Sequence, residues 1–250
     1  MENKNKDFKL HHKRKRMLTT SQMELFTNQI EELFNCTCVA VLHEVENPTP
    51  EIVGASDHID LLMLRSNDIN GPGFLITMGA SACPCPIKFN NRNQYVEFMM
   101  EVPRDWMSSS QLDNISEEFR WVITFMERNK RCLFEDDQIW FNDFITVKSS
   151  PLENINTFLI TGPCLYTKDF IMPKVKIRRT GDVMIWQILP ITNDEKKWFL
   201  SNNCDRYLVT MLTKVMFMQN VDPSDFNRES TDFDAYAGFL GFRPDENNSN

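Results

Sequence analysis

The segment Asn70-Gly71-Pro72-Gly73 constrains the fold more than any other stretch of this chain. It separates two strand-like runs, Ile59–Leu64 and Phe74–Met78, and its turn chemistry suits neither the inside of a strand nor that of a helix. The two runs therefore form a hairpin, which makes this part of the sheet antiparallel. A second hairpin is predicted where Val175–Arg178 meets Val183–Ile191 across Thr180-Gly181-Asp182, and Phe158–Thr161 and Val39–Leu42 read as further short strands. The most legible strand is Tyr95–Val102. Val96, Phe98, Met100 and Val102 alternate with Tyr95, Glu97, Met99 and Glu101, so one face is apolar and the other is expected to be exposed at its two glutamates until Pro103 ends the strand.

Helical periodicity appears in three places. Ser21 and Glu24 have capping-box spacing ahead of Met23, Phe26, Ile30 and Leu33, which predicts a helix over residues 21–34. Leu112, Ile115, Phe119, Val122 and Met126 form one stripe opposite Glu117, Glu118 and Arg120, the pattern of an amphipathic helix packed on a sheet. Thr192 and Glu195 make another capping box, opening a helical region that runs toward Met218 with an interruption near Asn202-Asn203. Hairpin-linked strands clustered between a few helices predict an α+β fold, a mixed and mainly antiparallel sheet packed with amphipathic helices.

Charge divides the chain. Residues 1–16 carry seven Lys/Arg against Glu2 and Asp7, a balance of +5, so the net charge of −8 leaves −13 on residues 17–250. The expected organisation is a basic, solvated arm over 1–18, one domain over 19–218, and an acidic tail over 219–250. Phe233, Tyr236, Phe239, Leu240 and Phe242 make that tail apolar enough to dock on the body. An acidic body disfavours nucleic acid and favours basic protein surfaces. Apolar runs such as Val183–Ile191 fall short of a bilayer span, and Lys13–Arg16 is followed by Thr19, Thr20 and Ser21 instead of a signal-peptide core, so a cytoplasmic location and no membrane contact are expected. The odd count of seven cysteines favours reduced thiols over a disulfide framework.

Candidate chemistry is thin. Gly79-Ala80-Ser81-Ala82-Cys83 approximates a nucleophile elbow, but the last glycine is missing and Pro84 and Pro86 forbid the helix that should follow. Cys36-x-Cys38 with Cys83-x-Cys85 supplies four thiols at a spacing unlike zinc ribbons, so buried or idle thiols are expected and no metal. Asp57-His58-Ile59-Asp60 lacks a second cluster to complete an acid–base site and reads more simply as a polar strand entrance. Glu97 and Glu101 lie about 13 Å apart by strand rise, too far for a glycosidase pair. Eight glycines do not assemble a phosphate or dinucleotide loop, and no cofactor is implied.

Several segments nevertheless stand in a characteristic order: Asp57–Asp60, Phe74–Ser81, then Glu97-Phe98-Met99-Met100-Glu101-Val102-Pro103-Arg104-Asp105-Trp106. Downstream come Trp121, Phe158–Ile160 and Ile188-Leu189-Pro190-Ile191 with Glu195. In order and spacing they resemble the suppressor-of-fused-like family over roughly residues 35–215, departing from it at Cys83-Pro84-Cys85-Pro86. The resemblance implies an α+β domain without catalytic residues. Animal members hold a short transcription-factor segment by adding it as a strand, bacterial members look like immunity or regulatory proteins of toxin systems, and a single domain of this length resembles the bacterial type. The expectation is a non-enzymatic protein binder, an immunity-type inhibitor of a basic toxin domain, with a regulatory module taking a peptide segment by strand addition as the alternative and an enzyme as a third. Asp57, His58, Asp60, Glu97 and Glu101 are the expected partner-binding residues.

Overall fold

The structure is a computed structural model that describes residues 18–42, 60–82, 85–89, 92–108, 115–132, 143–162, 174–178, 181–202, 213–216 and 218–237. Helix α1 (Thr20–Phe34) leads through Asn35, in the left-handed region at φ 47°, into strand β1 (Cys36–Leu42). Strands β2 (Asp60–Ser66) and β3 (Gly73–Met78) form the predicted hairpin. β4 (Cys85–Phe89) and β5 (Arg92–Val102) follow, then helix α2 (Glu117–Cys132), β6 (Phe144–Thr146), β7 (Ile155–Thr161), β8 (Lys174–Arg178), β9 (Gly181–Thr192) and helix α3 (Asn193–Ser201).

The described strands form one nine-stranded sheet in the order β1-β2-β3-β5-β9-β7-β6, with β4 added on β5 and β8 on β9. Every pairing is antiparallel except β5 with β9, which run parallel from Tyr95↔Val183 to Met99↔Gln187. The α+β class, a mixed and mainly antiparallel sheet, is thus the observed one.

The sheet is covered on both faces. On one, α2 lays Phe119, Val122, Phe125 and Met126 against Val96, Phe98, Met100 and Val102 of β5 and against Phe158, Ile160 and Ile188. On the other, Phe26, Ile30 and Phe34 of α1 pack on Leu62, Leu64, Phe74, Ile76, Met99 and Ile185. Beyond α1's reach, α3 and the segment 213–237 cover Leu159, Leu189 and Ile191 with Phe199, Met216 and Phe233. This double covering corrects the expectation for β5: the face carrying Glu97 and Glu101 is buried, at 0% and 1% exposure. Alternation separated the two faces of the strand correctly, but a strand whose both faces meet helices has no solvent side.

Two helix starts correct or match the sequence pattern. α1 is capped two residues earlier than expected, by a Thr19–Gln22 box with Thr19 in extended conformation. α3 begins at the predicted Thr192–Glu195 box and ends at Asn202, after which residues 203–212 lie outside the described part. The Pro48–Pro50 turn and the N-terminal half of the Leu112 stripe also fall outside it, whereas Ile115 is half-buried against the α2-side core.

Motif residues also fasten the β2–β3 turn. Arg104 Nη1 donates to the carbonyls of Ser66, Asp68 and Gly71 at 2.9, 2.7 and 3.0 Å. A side chain at Gly71 would place its Cβ 2.5 Å from that of Ser66, so the turn requires glycine there. Trp106 stacks on Phe119 with ring centres 4.7 Å apart, joining this corner to α2.

Candidate partner-binding site

Of the five residues expected to meet a partner, Asp57 and His58 lie outside the described residues. Asp60 opens β2 opposite Met78 and is 1% exposed. Glu97 sits at the centre of a closed hydrogen-bond knot. Thr77 Oγ1 donates to its carboxylate at 2.6 Å, and the amides of Gly79, Ala80 and Ser81 donate at 2.9, 3.1 and 2.8 Å. Three consecutive amides converge because Gly79 takes φ 122°, a conformation other residues rarely adopt, and turns the chain at the end of β3 into a short 3₁₀ turn. Ser81 is fully buried and its amide serves this knot, so the Gly79–Ser81 segment is a carboxylate clamp and not a nucleophile elbow. Burial pushes the Glu97 carboxyl above the ordinary range; the Thr77 hydroxyl and the Ser81 and Gly79 amides pull it back only in part.

Glu101 accepts from Gln187 Nε2 at 2.5 Å, a polar link between β5 and β9 at the place where the α1-side and α3-side cores meet. Beside Gln187, a depression lined by Thr161, Leu189, Thr213, Met216 and Val221 leaves about 10 Å³ open, room for about one water molecule.

Glu195 does more than cap α3. It accepts from the Thr192 amide at 2.9 Å, from Arg228 Nη1 and Nη2 at 2.7 and 2.8 Å, and from the Thr231 amide and hydroxyl at 2.9 and 2.5 Å. Arg228 Nη2 also donates to Pro190 O at 3.0 Å. Burial opposes ionisation here too, but the hydrogen bonds and positive charge of Arg228, with Thr231 and the Thr192 amide, outweigh it and hold the carboxyl below the ordinary range. Arg228 and Thr231 escaped the sequence reading because they lie 33 and 36 residues from Glu195 and follow no local pattern. Their one signal is aromatic: Phe226 and Phe233 flank them and are buried.

The thiols of β1 are held protonated. Burial, helped by Glu31 and Cys38, pushes Cys36 up to about 12, and burial followed by Glu31 raises Cys38. Such thiols are poor metal ligands and poor nucleophiles at neutral pH. Cys83 lies outside the described residues, and among the described ones no three His, Cys, Asp or Glu side chains gather to hold a metal. Among the described helices none is long and apolar enough to cross a membrane.

The edges of the sheet differ in how they are finished. Lys176 of β8 has both backbone groups taken by Gln29 of α1, its N–H donating to Oε1 at 2.9 Å and its carbonyl accepting from Nε2 at 3.2 Å. Gln22 Nε2 donates to Ile177 O beside it at 3.3 Å. β6 is a three-residue strand. β1, seven residues long, ends the strand order on its side, is bulged at Val39, and receives a single printed side-chain cap, the Cys38 N–H donating to Glu31 Oε1 at 2.7 Å.

The model of the family described as suppressor of fused protein (SUFU) matches residues 55–229. No curated protein matches the chain. Among solved structures, a protein described as a SUFU homolog of Neisseria gonorrhoeae superposes with a TM-score of 0.57 at 14% identity, over 85% of this chain and 98% of that one. A chain of the Sufu–Fu complex superposes with a TM-score of 0.51 at 12% identity, over 88% of this chain and 95% of that one. At these identities the likeness is one of fold.

Proposed function

Because the chain belongs to the suppressor of fused family, we propose that it is a non-catalytic protein-binding module, and within that class an immunity-type protein that neutralises a basic toxin domain by stoichiometric binding in the cytoplasm. One observation carries this: the motif glutamates Glu97, Glu101 and Glu195 are turned inward and accept from the chain's own donors, so they brace the scaffold instead of presenting themselves to a substrate. A catalytic carboxylate needs a free position at the reacting atom. What remains for an encounter is the acidic field of residues 17–250, which draws in basic protein. That a Sufu chain of similar fold is found in complex with Fu supports a protein as the class of partner. Within this proposal Glu97 and Glu101 act indirectly, holding the Gly79–Ser81 turn and the β5–β9 junction, while Asp57, His58 and Asp60 belong to the approach to β2.

The test is co-purification of the tagged full chain from its native cell at low salt, followed by mass spectrometry and titration calorimetry of the recovered pair. One basic protein at equimolar ratio is expected, with association slowed by added salt and the partner's toxicity abolished at equivalence. A micromolar interaction with an isolated short segment would replace the immunity role by a regulatory one. The absence of any stoichiometric protein at low salt would sink the binding module itself.

A further inference from the structure

Building on the proposal that the chain binds protein, we infer that the outer edge of β1 receives the partner, taking one extended basic polypeptide segment as an added strand, with Glu31 as the side chain that guards and selects it. The hydrogen-bond pattern sets which way this edge faces. The Asn67 amide donates to Asn35 O, whereas the next amide, Ser66, turns away from β1 to Pro72 O. In an antiparallel ladder this alternation makes Cys36↔Ser66 and Cys38↔Leu64 the pairs whose N–H and C=O groups point outward. The Cys38 N–H that meets Glu31 Oε1 at 2.7 Å is therefore an edge donor, and the carboxylate stands where the carbonyl of an added strand would stand.

Two features separate this edge from the others. At β8 a glutamine amide satisfies donor and acceptor of the same residue, which leaves nothing for a newcomer. At β1 the cap is a carboxylate, which satisfies only the N–H. β1 is also half-exposed along most of its length, with Val41 at 37%, whereas β3 beside β2 is buried throughout. A charged residue and a bulge are the usual devices against indiscriminate edge pairing, and β1 carries both at adjacent positions.

The charge chooses the occupant. A strand that displaces Glu31 from Cys38 leaves that carboxylate without its donor, and only an occupant bringing its own cation restores one. Exposed Glu24 and Glu32 lie on the same helix, so the field over this edge favours Lys or Arg and opposes an acidic segment or the equivalent edge of a second copy.

The experiment uses the full chain labelled with ¹⁵N and, as probe, an octapeptide of alternating threonine and lysine, with its threonine–glutamate counterpart as control. Shifts confined to β1 and the C-terminal half of α1, and slowed exchange of the Cys38 amide, are expected with the basic probe alone. Glu31→Gln should weaken it about tenfold, the loss of one charge-assisted contact. Cys38→Pro should abolish it, because an outward N–H on an edge strand is a place where proline is tolerated; if that variant fails to fold, Glu31→Gln decides. Shifts elsewhere, equal binding of the acidic probe, unchanged affinity in Glu31→Gln, or concentration-dependent dimers through β1 would each overturn the assignment. If a stoichiometric partner is recovered but the probe leaves β1 untouched, only this edge is wrong; if neither binds, the protein-binding proposal falls with it.

Discussion

Glu97 and Glu195 are both glutamates with carboxylates buried in hydrogen bonds, yet their acidities move in opposite directions. Around Glu97 the donors are a hydroxyl and three amides, all neutral, and desolvation wins. Around Glu195 two of the donors belong to a guanidinium that is itself 6% exposed, and the ion pair wins. Hydrogen bonds alone make a buried carboxylate tolerable, whereas a full countercharge in the same low-dielectric setting makes its ionised form the preferred one. The structural consequence differs as well. The Glu97 knot ties residues within one sheet corner, and the Glu195 knot ties α3 to residues 228–231.

The contrast can be broken most forcefully at Arg228. Arg228→Ala leaves Glu195 buried without its countercharge and should cost about 3–5 kcal/mol, the usual penalty for removing one partner of a buried pair. Urea unfolding followed by tryptophan fluorescence reads it, and a loss below about 1 kcal/mol would mean the pair is hydrated in solution. Glu97→Gln puts an amide NH₂ among donors and should cost about 1–3 kcal/mol. The same unfolding curves measure it, and an unchanged midpoint would show that the knot does not need a full carboxylate. Thr192→Ala and Thr19→Ala each remove an N-cap and should cost about 1 kcal/mol. Thr192→Ala should be the more damaging of the two, because Thr192 Oγ1 also contacts Ser230 Oγ at 2.7 Å.

The mildest test is pH, and its sign differs at the two knots. With its acidity lowered, Glu195 contributes stability that is fully present above the ordinary glutamate value of about 4.5 and is lost as pH falls below it. Glu97, with its acidity raised, contributes stability that is present below about 4.5 and is lost as pH rises through its elevated value. Amide exchange corrected for intrinsic rates should therefore show Thr231 losing protection on acidification below pH 4.5, while Gly79 and Ser81 gain protection between neutral pH and that point. Parallel behaviour at both places would contradict the opposed shifts.

Much of the fold was legible because it is local. The β2–β3 hairpin followed from four turn residues, and the α3 start from Thr192 and Glu195. The same rule misplaced the α1 cap by two residues, since Ser21–Glu24 and Thr19–Gln22 both have the required spacing. Only the backbone decides which residue leaves the helix, and here Thr19 is the extended one at ψ 157°. The candidate site was less legible. Glu97 and Glu101 were singled out by the strand pattern and the family resemblance, but a polar residue in alternation looks the same whether water or a helix lies over it. Glu31 was not singled out at all, because its partner is an outward backbone amide that no sequence pattern marks.

What the amino-acid order determined by itself is the set of strands and helices, their main pairings and the acidic balance, because each follows from spacing of a few residues or from a sum over the chain. Only the tertiary structure decided that the motif glutamates are covered, that Arg228 reaches Glu195, and that β1 is left as the half-open edge. Those outcomes depend on which surfaces meet across the sheet, and desolvation and pairing of a charge are properties of that meeting, absent from any single segment.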